Sequence, residues 1–218
     1  NLLICDLTIV MLFLIAFDSY HLSSFVELFV VDLLPAIANR KSPRAFLTRS
    51  VEEEKIQFLL KAFQWAPSSY NKQPWRIVLT TDPGVLEKMH DGIMTGNRRW
   101  AVKAPLLAVI VSKVEADDVR HDNALPYFLY DCGQAAMSLV LQAEHMGLRC
   151  HQMAGWEQGP IRAALGIPDD EQPIVLIAIG YEGDIADLDE RSREKEMVPR
   201  TRKKLEEFAF RDRWGNPA

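Results

Sequence analysis

Apolar positions change their period several times along this chain, and each change marks an element. Between Val51 and Trp65 the residues Ile56, Leu59, Leu60 and Phe63 share one helical face. Glu52, Glu53 and Glu54 suit the first turn of that helix, and Ser50 is the candidate N-cap. Phe25 to Asn39 reads as an earlier helix, with Phe25, Phe29 and Leu33 at near-helical spacing. Trp75 to Thr80 predicts a short strand, and Asp82-Pro83 opens a helix that runs to about His90. Leu106 to Ser112 is a continuous β-rich apolar run, which predicts a central strand. Leu125 to Met146 predicts a long helix that is apolar nearly all round and therefore buried on most sides. Its small residues Gly133, Ala135 and Ala136 would allow close helix approach, and Gly147 ends it. Trp156 to Leu165 predicts a short helix closed by Gly166, and Pro173 to Tyr181 a second central strand. The charged, Arg-rich tail beyond Asp187 predicts an extended arm.

Strands and helices do not alternate simply in this order, so the pattern predicts an α+β fold with three layers rather than a plain doubly wound sheet. Internal repeats and Gly/Ser linkers are absent, which predicts one domain over residues 28–218. Residues 1–27 read as a hydrophobic extension that is added, truncated at its own start, or misassigned from upstream sequence. Leu7 to Phe17 contains one polar residue, Thr8, but is too short to span a bilayer and is flanked by Asp6 and Asp18. No Lys or Arg precedes Arg40, so the basic region of a secretory signal is missing. The expectation is a protein without a membrane span.

Composition narrows the function classes. The formal net charge of −5, with two small basic clusters far apart in sequence at Arg40–Arg44 and Arg200–Lys204, argues against nucleic acid and suits one small anion. Three cysteines with no C-x-x-C pair predict buried thiols in a reducing compartment, hence a cytoplasmic protein. No His/Cys/Asp/Glu set has zinc spacing, so no metal is expected. G-x-G-x-x-G, G-x-S-x-G and H-E-x-x-H are all absent, and no side-chain nucleophile or acid/base dyad stands out.

The candidate chemistry lies in polar segments between apolar elements. Ala66 to Trp75 (APSSYNKQPW) places Pro67, Ser68, Ser69, Asn71 and Gln73 between two elements that look buried, where a polar loop serves a ligand or makes a capped turn. Arg40, Lys41, Ser42 and Arg44 form a compact donor set for phosphate oxygens, or a solvated basic helix end. Asn97, in GNRRW, can both donate and accept at a heterocycle edge, or close a Gly-Asn turn. In HQMAGW, Met153, Ala154 and Gly155 would let backbone approach a ligand closely, while His151 is a proton donor or a structural residue. Arg200 and Arg202 belong to a second basic run that ends a phosphate site or a solvated arm.

In this order, R-K-S-x-R-x-F, A-P-S-S-x-N-x-Q-P-W, the Asn97 segment, H-Q-M-A-G-W and R-x-R-K-K-L-E-E resemble the nitroreductase-like flavoproteins from about residue 33 to 217. The resemblance implies a three-layer α/β/α fold, with a central, mostly antiparallel sheet flanked by helices, in an intertwined homodimer. It implies bound FMN, with Arg40, Lys41, Ser42, Arg44, Arg200 and Arg202 around the phosphate and ribityl chain. Asn97 would face the flavin pyrimidine edge, and the backbone of Met153, Ala154 and Gly155 would approach N5. Pro67, Ser68, Ser69, Asn71 and Gln73 would reach the FMN of the partner subunit, with the long helix from Leu125 as the dimer surface. It implies ping-pong hydride transfer from NAD(P)H to flavin N5, then reduction of a nitroaromatic, quinone or similar small-molecule acceptor, with no catalytic side chain. Other flavin chemistry, such as dehalogenation or flavin fragmentation, and a non-enzymatic FMN-binding role are the alternatives. Lys41 in place of Arg and Gln152 in place of the common Pro depart from the family pattern.

Overall fold

The computed structural model describes residues 33–113, 116 and 126–218. The extension 1–27 and most of the helix expected over Phe25–Asn39 lie outside the described residues. Residues 33–38 belong to one compact unit, which carries the start of helix α1 (Pro35–Asn39). The remaining elements belong to a second unit, residues 39–218.

Four strands form that unit's sheet: β1 (Arg76–Thr80), β2 (Leu106–Ser112), β3 (Arg149–Met153) and β4 (Gln172–Gly180). Their order is β1-β2-β4-β3, and every pairing is antiparallel. The side chains of β2 and β4 divide by the two-residue period of a strand. Leu106, Ala108, Ile110, Ile177 and Ile179 enter one core with Leu59 and Phe63 of α2 (Glu53–Gln64) and Leu139 of α5 (Tyr127–His145). Leu107, Val109, Leu176 and Ala178 enter a second core. It holds Met89 of α3 (Pro83–Asp91), Trp100 of α4 (Thr95–Ala101) and Ile161 of α6 (Gln158–Leu165). Burial on both faces explains why these strands read as unbroken apolar runs. The result is the expected α+β arrangement, an antiparallel sheet with helices on each side.

Several elements differ from expectation. Ser50 does not cap α2; Glu52 is the N-cap and makes no side-chain cap bond. Its carboxylate is instead shared by the Tyr181 hydroxyl and Arg49. GNRRW is not a Gly-Asn turn but part of α4. The segment expected as a loop around His151 contains β3. The tail is not simply an extended arm, because α7 (Glu190–Met197) forms within it, capped by Asp189 through the Ser192 amide. Helix α5 is not buried on most sides: Tyr130 is 61% and Met137 43% exposed. At its end Gly147 takes φ 74°, a left-handed conformation that costs a glycine little, and Leu148 N–H turns back to the Ala143 carbonyl at 2.8 Å.

Tyr181, just after β4, joins three elements. Its hydroxyl donates to Glu52 and accepts from Lys55 Nζ at 2.8 Å, while Lys55 also reaches the Met146 carbonyl behind α5 at 3.0 Å. The Tyr181 hydroxyl is the largest influence holding the Glu52 carboxyl down at about 2, followed by the local backbone and Arg49. A carboxyl with a depressed folded-state pKa contributes stability above its ordinary value of 4.5, and loses it as the pH falls through about 2. Tyr181→Phe is expected to raise the Glu52 pKa toward 4.5, so that this loss begins at higher pH. A carboxyl-detected NMR titration measures it directly; an unmoved Glu52 in the variant would contradict the assignment.

Candidate functional site

Strand β3 lies at the sheet edge and organises two of the predicted segments. His151, at its centre, is buried, and its Nδ1 lies 2.9 Å from the Pro43 carbonyl. A carbonyl only accepts, so Nδ1 carries the proton and donates. Burial lowers the His151 pKa from 6.5 and favours this neutral form. The ring packs on Trp100 with centroids 4.4 Å apart, and Trp100 stacks in turn on Phe46. The segment carrying Arg40–Arg44 is thereby held to the strand. It is fixed again at the end of β4, where Leu47 N–H donates to the Tyr181 carbonyl and Gly183 N–H to the Ala45 carbonyl, both at 3.0 Å.

The basic side chains of this turn divide into two kinds. Arg40 Nη1 donates to Ser42 Oγ at 3.2 Å, and Arg200 Nη1 donates to the Arg40 carbonyl at 2.8 Å. Arg40, Ser42 and Arg200 thus meet at an exposed place, although 160 residues separate the two arginines. Lys41 and Arg44 are committed elsewhere. Lys41 pairs with Glu182, which also binds Arg149 at 2.9 Å. Arg44 donates both its backbone N–H and its guanidinium to Glu196 of α7, at 2.9 and 3.0 Å. Arg202 bonds the neighbouring Thr201 carbonyl at 2.6 Å.

Beyond β3 the chain meets α4. Met94 N–H and Asn97 Nδ2 both donate to the Gly155 carbonyl, at 3.1 and 3.3 Å. A Cβ at Gly155 would stand 2.8 Å from Asn97 Nδ2, so a side chain here would have to displace that amide. Met153 is buried and its carbonyl accepts from Trp156 Nε1 at 2.9 Å, while Ala154 is exposed. Strand β3 ends at Met153 and Trp156 N–H turns back to the Ala154 carbonyl at 3.1 Å, so His151 and Gly155 lie at most about 13 Å apart. The cationic turn is bonded to β3 at His151, and the Asn97–Gly155 pair follows the end of the same strand.

The polar loop Ala66–Trp75 has an unusual backbone. Tyr70, Asn71 and Gln73 take φ values of 49°, 54° and 48°. Asn enters this left-handed region readily; Tyr and Gln do so at a cost. The loop holds itself through Gln73 N–H to Ser68 Oγ at 3.0 Å and Gln73 Nε2 to Asn71 Oδ1 at 3.1 Å. It is anchored to the core by Ser69 N–H to Asp131 Oδ2 at 3.1 Å and by Ser112 Oγ to the Pro74 carbonyl at 2.7 Å. The sequence reading missed both anchors. Asp131 did carry a signal, since it is an acid on an otherwise apolar helix face; a strand-end serine carries none.

The loop and the cationic turn sit at opposite ends of β4. Pro74 is bound to Ser112, which pairs with Gln172 at the start of that strand, whereas Phe46 pairs with Glu182 just past its end. Ten residues of extended chain span about 30 Å. Burial pushes both the Cys132 and Cys150 thiols up to about 12, so neither is a nucleophile near neutral pH. Among the described residues no three metal-ligating side chains cluster, and no helix is long and apolar enough to cross a membrane.

The sequence pattern of the nitroreductase family matches residues 37–100 and 91–181. The chain belongs to this family. The nitroreductase match contains Arg40–Arg44, the Pro67–Gln73 loop, Asn97 and Met153–Gly155, and ends before Arg200. A crystal structure described as an oxidoreductase containing FMN is similar at 32% identity and a TM-score of 0.75, over 86% of this chain and 95% of that one. An uncharacterized 15.4 kDa protein of Mycolicibacterium smegmatis is 35% identical over 58% of this chain and 82% of its own. An NADH dehydrogenase of Thermus thermophilus is 27% identical over 70% of this chain and 87% of its own. The nitroreductase fold is therefore shared over most of the chain, and relatives in this family are named as oxidoreductases.

Proposed function

We propose that this chain is an FMN-dependent oxidoreductase whose site is completed by a second copy of itself. The observation that carries this reading is that the polar loop and the cationic turn are tied to opposite ends of β4, a ten-residue span of about 30 Å when extended. One protomer cannot close both around a single small ligand, but two protomers related by a two-fold axis exchange such segments reciprocally. The exposed stripe of Tyr130, Gly133 and Met137 on α5 suits the surface between copies, because an exposed apolar helix face favours association.

The residues present fit the cofactor. Arg40, Ser42 and Arg200 converge as donors for a phosphate, with Arg202 nearby in sequence, while Lys41 and Arg44 fix the turn through Glu182 and Glu196. Asn97 and the backbone of Met153, Ala154 and Gly155 hold the ring edge, and Gly155 keeps that approach open. Pro67, Ser68, Ser69, Asn71 and Gln73 serve the site of the second copy. FMN, when bound, supplies acceptance of a hydride from NAD(P)H and its delivery to a nitroaromatic, quinone or similar electrophile. The chain's own part is to bind, to orient, and to aim backbone amides where negative charge develops. No side-chain acid or base is assigned.

The visible spectrum of the purified protein, before and after anaerobic NADPH, tests this. A flavin spectrum that bleaches and is restored by a nitroaromatic supports the proposal; a bound flavin that neither NADH nor NADPH bleaches would reduce it to a flavin-binding protein. Gly155→Val is expected to weaken FMN binding at least about tenfold, because the new Cβ forces Asn97 away. Flavin fluorescence titration gives that constant, and wild-type affinity in the variant would remove Gly155 from the site.

A further inference from the structure

We infer that Asp131 is a positioning residue, whose carboxylate holds the Ser68–Gln73 loop in its left-handed form before any ligand arrives. The inference rests on the reading of that loop as a cofactor-facing segment. Asp131 is 3% exposed, on a helix face it shares with Cys132, Ala135, Ala136 and Leu139. A carboxylate is unfavourable there unless hydrogen bonds compensate it. Its Oδ2 accepts from Ser69 N–H at 3.1 Å, and its Oδ1 accepts from Gln134 Nε2 at 3.4 Å. The first of these contacts fixes the backbone immediately before Tyr70, where the left-handed run begins. Ser112 fixes the far end through the Pro74 carbonyl, so the strained residues are clamped on both sides. Such a conformation persists only where the surroundings over-determine it. Asp131 is also next to Tyr130, which is 61% exposed on the face assigned to the second copy. Loop and docking face therefore move as one body, and the loop reaches a second copy already shaped.

Trypsin cleavage after Lys72 reads the loop directly. It would be followed by mass spectrometry on the full chain, as purified and after flavin removal, alongside the thermal midpoint and the FMN dissociation constant. Asp131→Ala is expected to speed cleavage after Lys72 about tenfold or more, with the tail sites cut at wild-type rates. Its FMN dissociation constant should rise about tenfold. Asp131→Asn keeps an acceptor oxygen and should stay within about threefold of wild type on both measures. If Asp131→Ala does not melt cooperatively, Asp131→Ser, whose hydroxyl is too short to reach Ser69, replaces it with the same expectation. Cleavage after Lys72 at the wild-type rate, or acceleration at every site alike, would overturn the proposal. Selective acceleration with an unchanged FMN constant would support the tether and remove the loop from the cofactor site.

Discussion

Trp100→Ala is expected to destabilise the protein by about 3–5 kcal/mol, the range for removing a buried tryptophan. Trp100 is fully buried between Phe46 and His151, with ring centroids at 6.1 and 4.4 Å. It therefore joins the second core to the cationic turn and to β3. Against a total stability of about 5–15 kcal/mol, this loss is large enough to threaten folding. Trp100→Phe separates shape from polarity. The indole N–H is buried with no hydrogen-bond partner among the described residues, so replacing the indole removes an unsatisfied donor while keeping an aromatic ring. That variant is expected to lie within about 1–2 kcal/mol of wild type. Urea unfolding of both variants gives the numbers. Equal losses would mean that the indole N–H matters after all.

Arg40→Ala is expected to weaken FMN binding about 10- to 100-fold, at little change in stability. A hydrogen bond to a charged group contributes about 1.5–3 kcal/mol, and each 1.4 kcal/mol is a factor of ten. Arg40 is partly buried, and among the described residues its guanidinium meets only Ser42 Oγ, so it is available to an anion. Arg44→Ala should behave in the opposite way. Its side chain is 24% exposed and that of Glu196 11%, so the variant leaves a largely buried carboxylate without its guanidinium and detaches α7 from the turn. Thermal unfolding should register this change more strongly than flavin titration. Arg44→Ala with unchanged stability and lost flavin would exchange the two roles.

Local pattern was enough for the central strands and the main helices. Leu106–Ser112 is apolar at nearly every position because both faces of β2 are covered, and a run of that kind has few other readings. Helix α2 was legible through its apolar face, and α3 through Asp82-Pro83 at its start, where Asp82 does accept from Val85 N–H at 2.9 Å. Helix α7 was not legible. ERSREKEM has no apolar face, and its cap at Asp189 and its contact with Arg44 rest on single polar groups. Strand β3 failed for a related reason. Arg149–Met153 mixes a cation, a thiol, an imidazole and an amide in five residues, too few to establish a period.

The sequence by itself determined the fold class, the two central strands, and the polar segments that resemble the flavoprotein pattern. These depend on neighbours a few residues apart, and periodicity and turn chemistry record such neighbours directly. Tertiary structure alone decided which basic residues are committed and which are available. Arg44 and Lys41 resemble Arg40 in sequence, but Glu196 and Glu182 reach only the first two. It alone set Asp131 against Ser69, gave Tyr70 and Gln73 their left-handed backbone, and placed the polar loop and the cationic turn at opposite ends of β4. Each of these depends on contacts between residues tens to more than a hundred positions apart, formed only when the sheet brings the segments together.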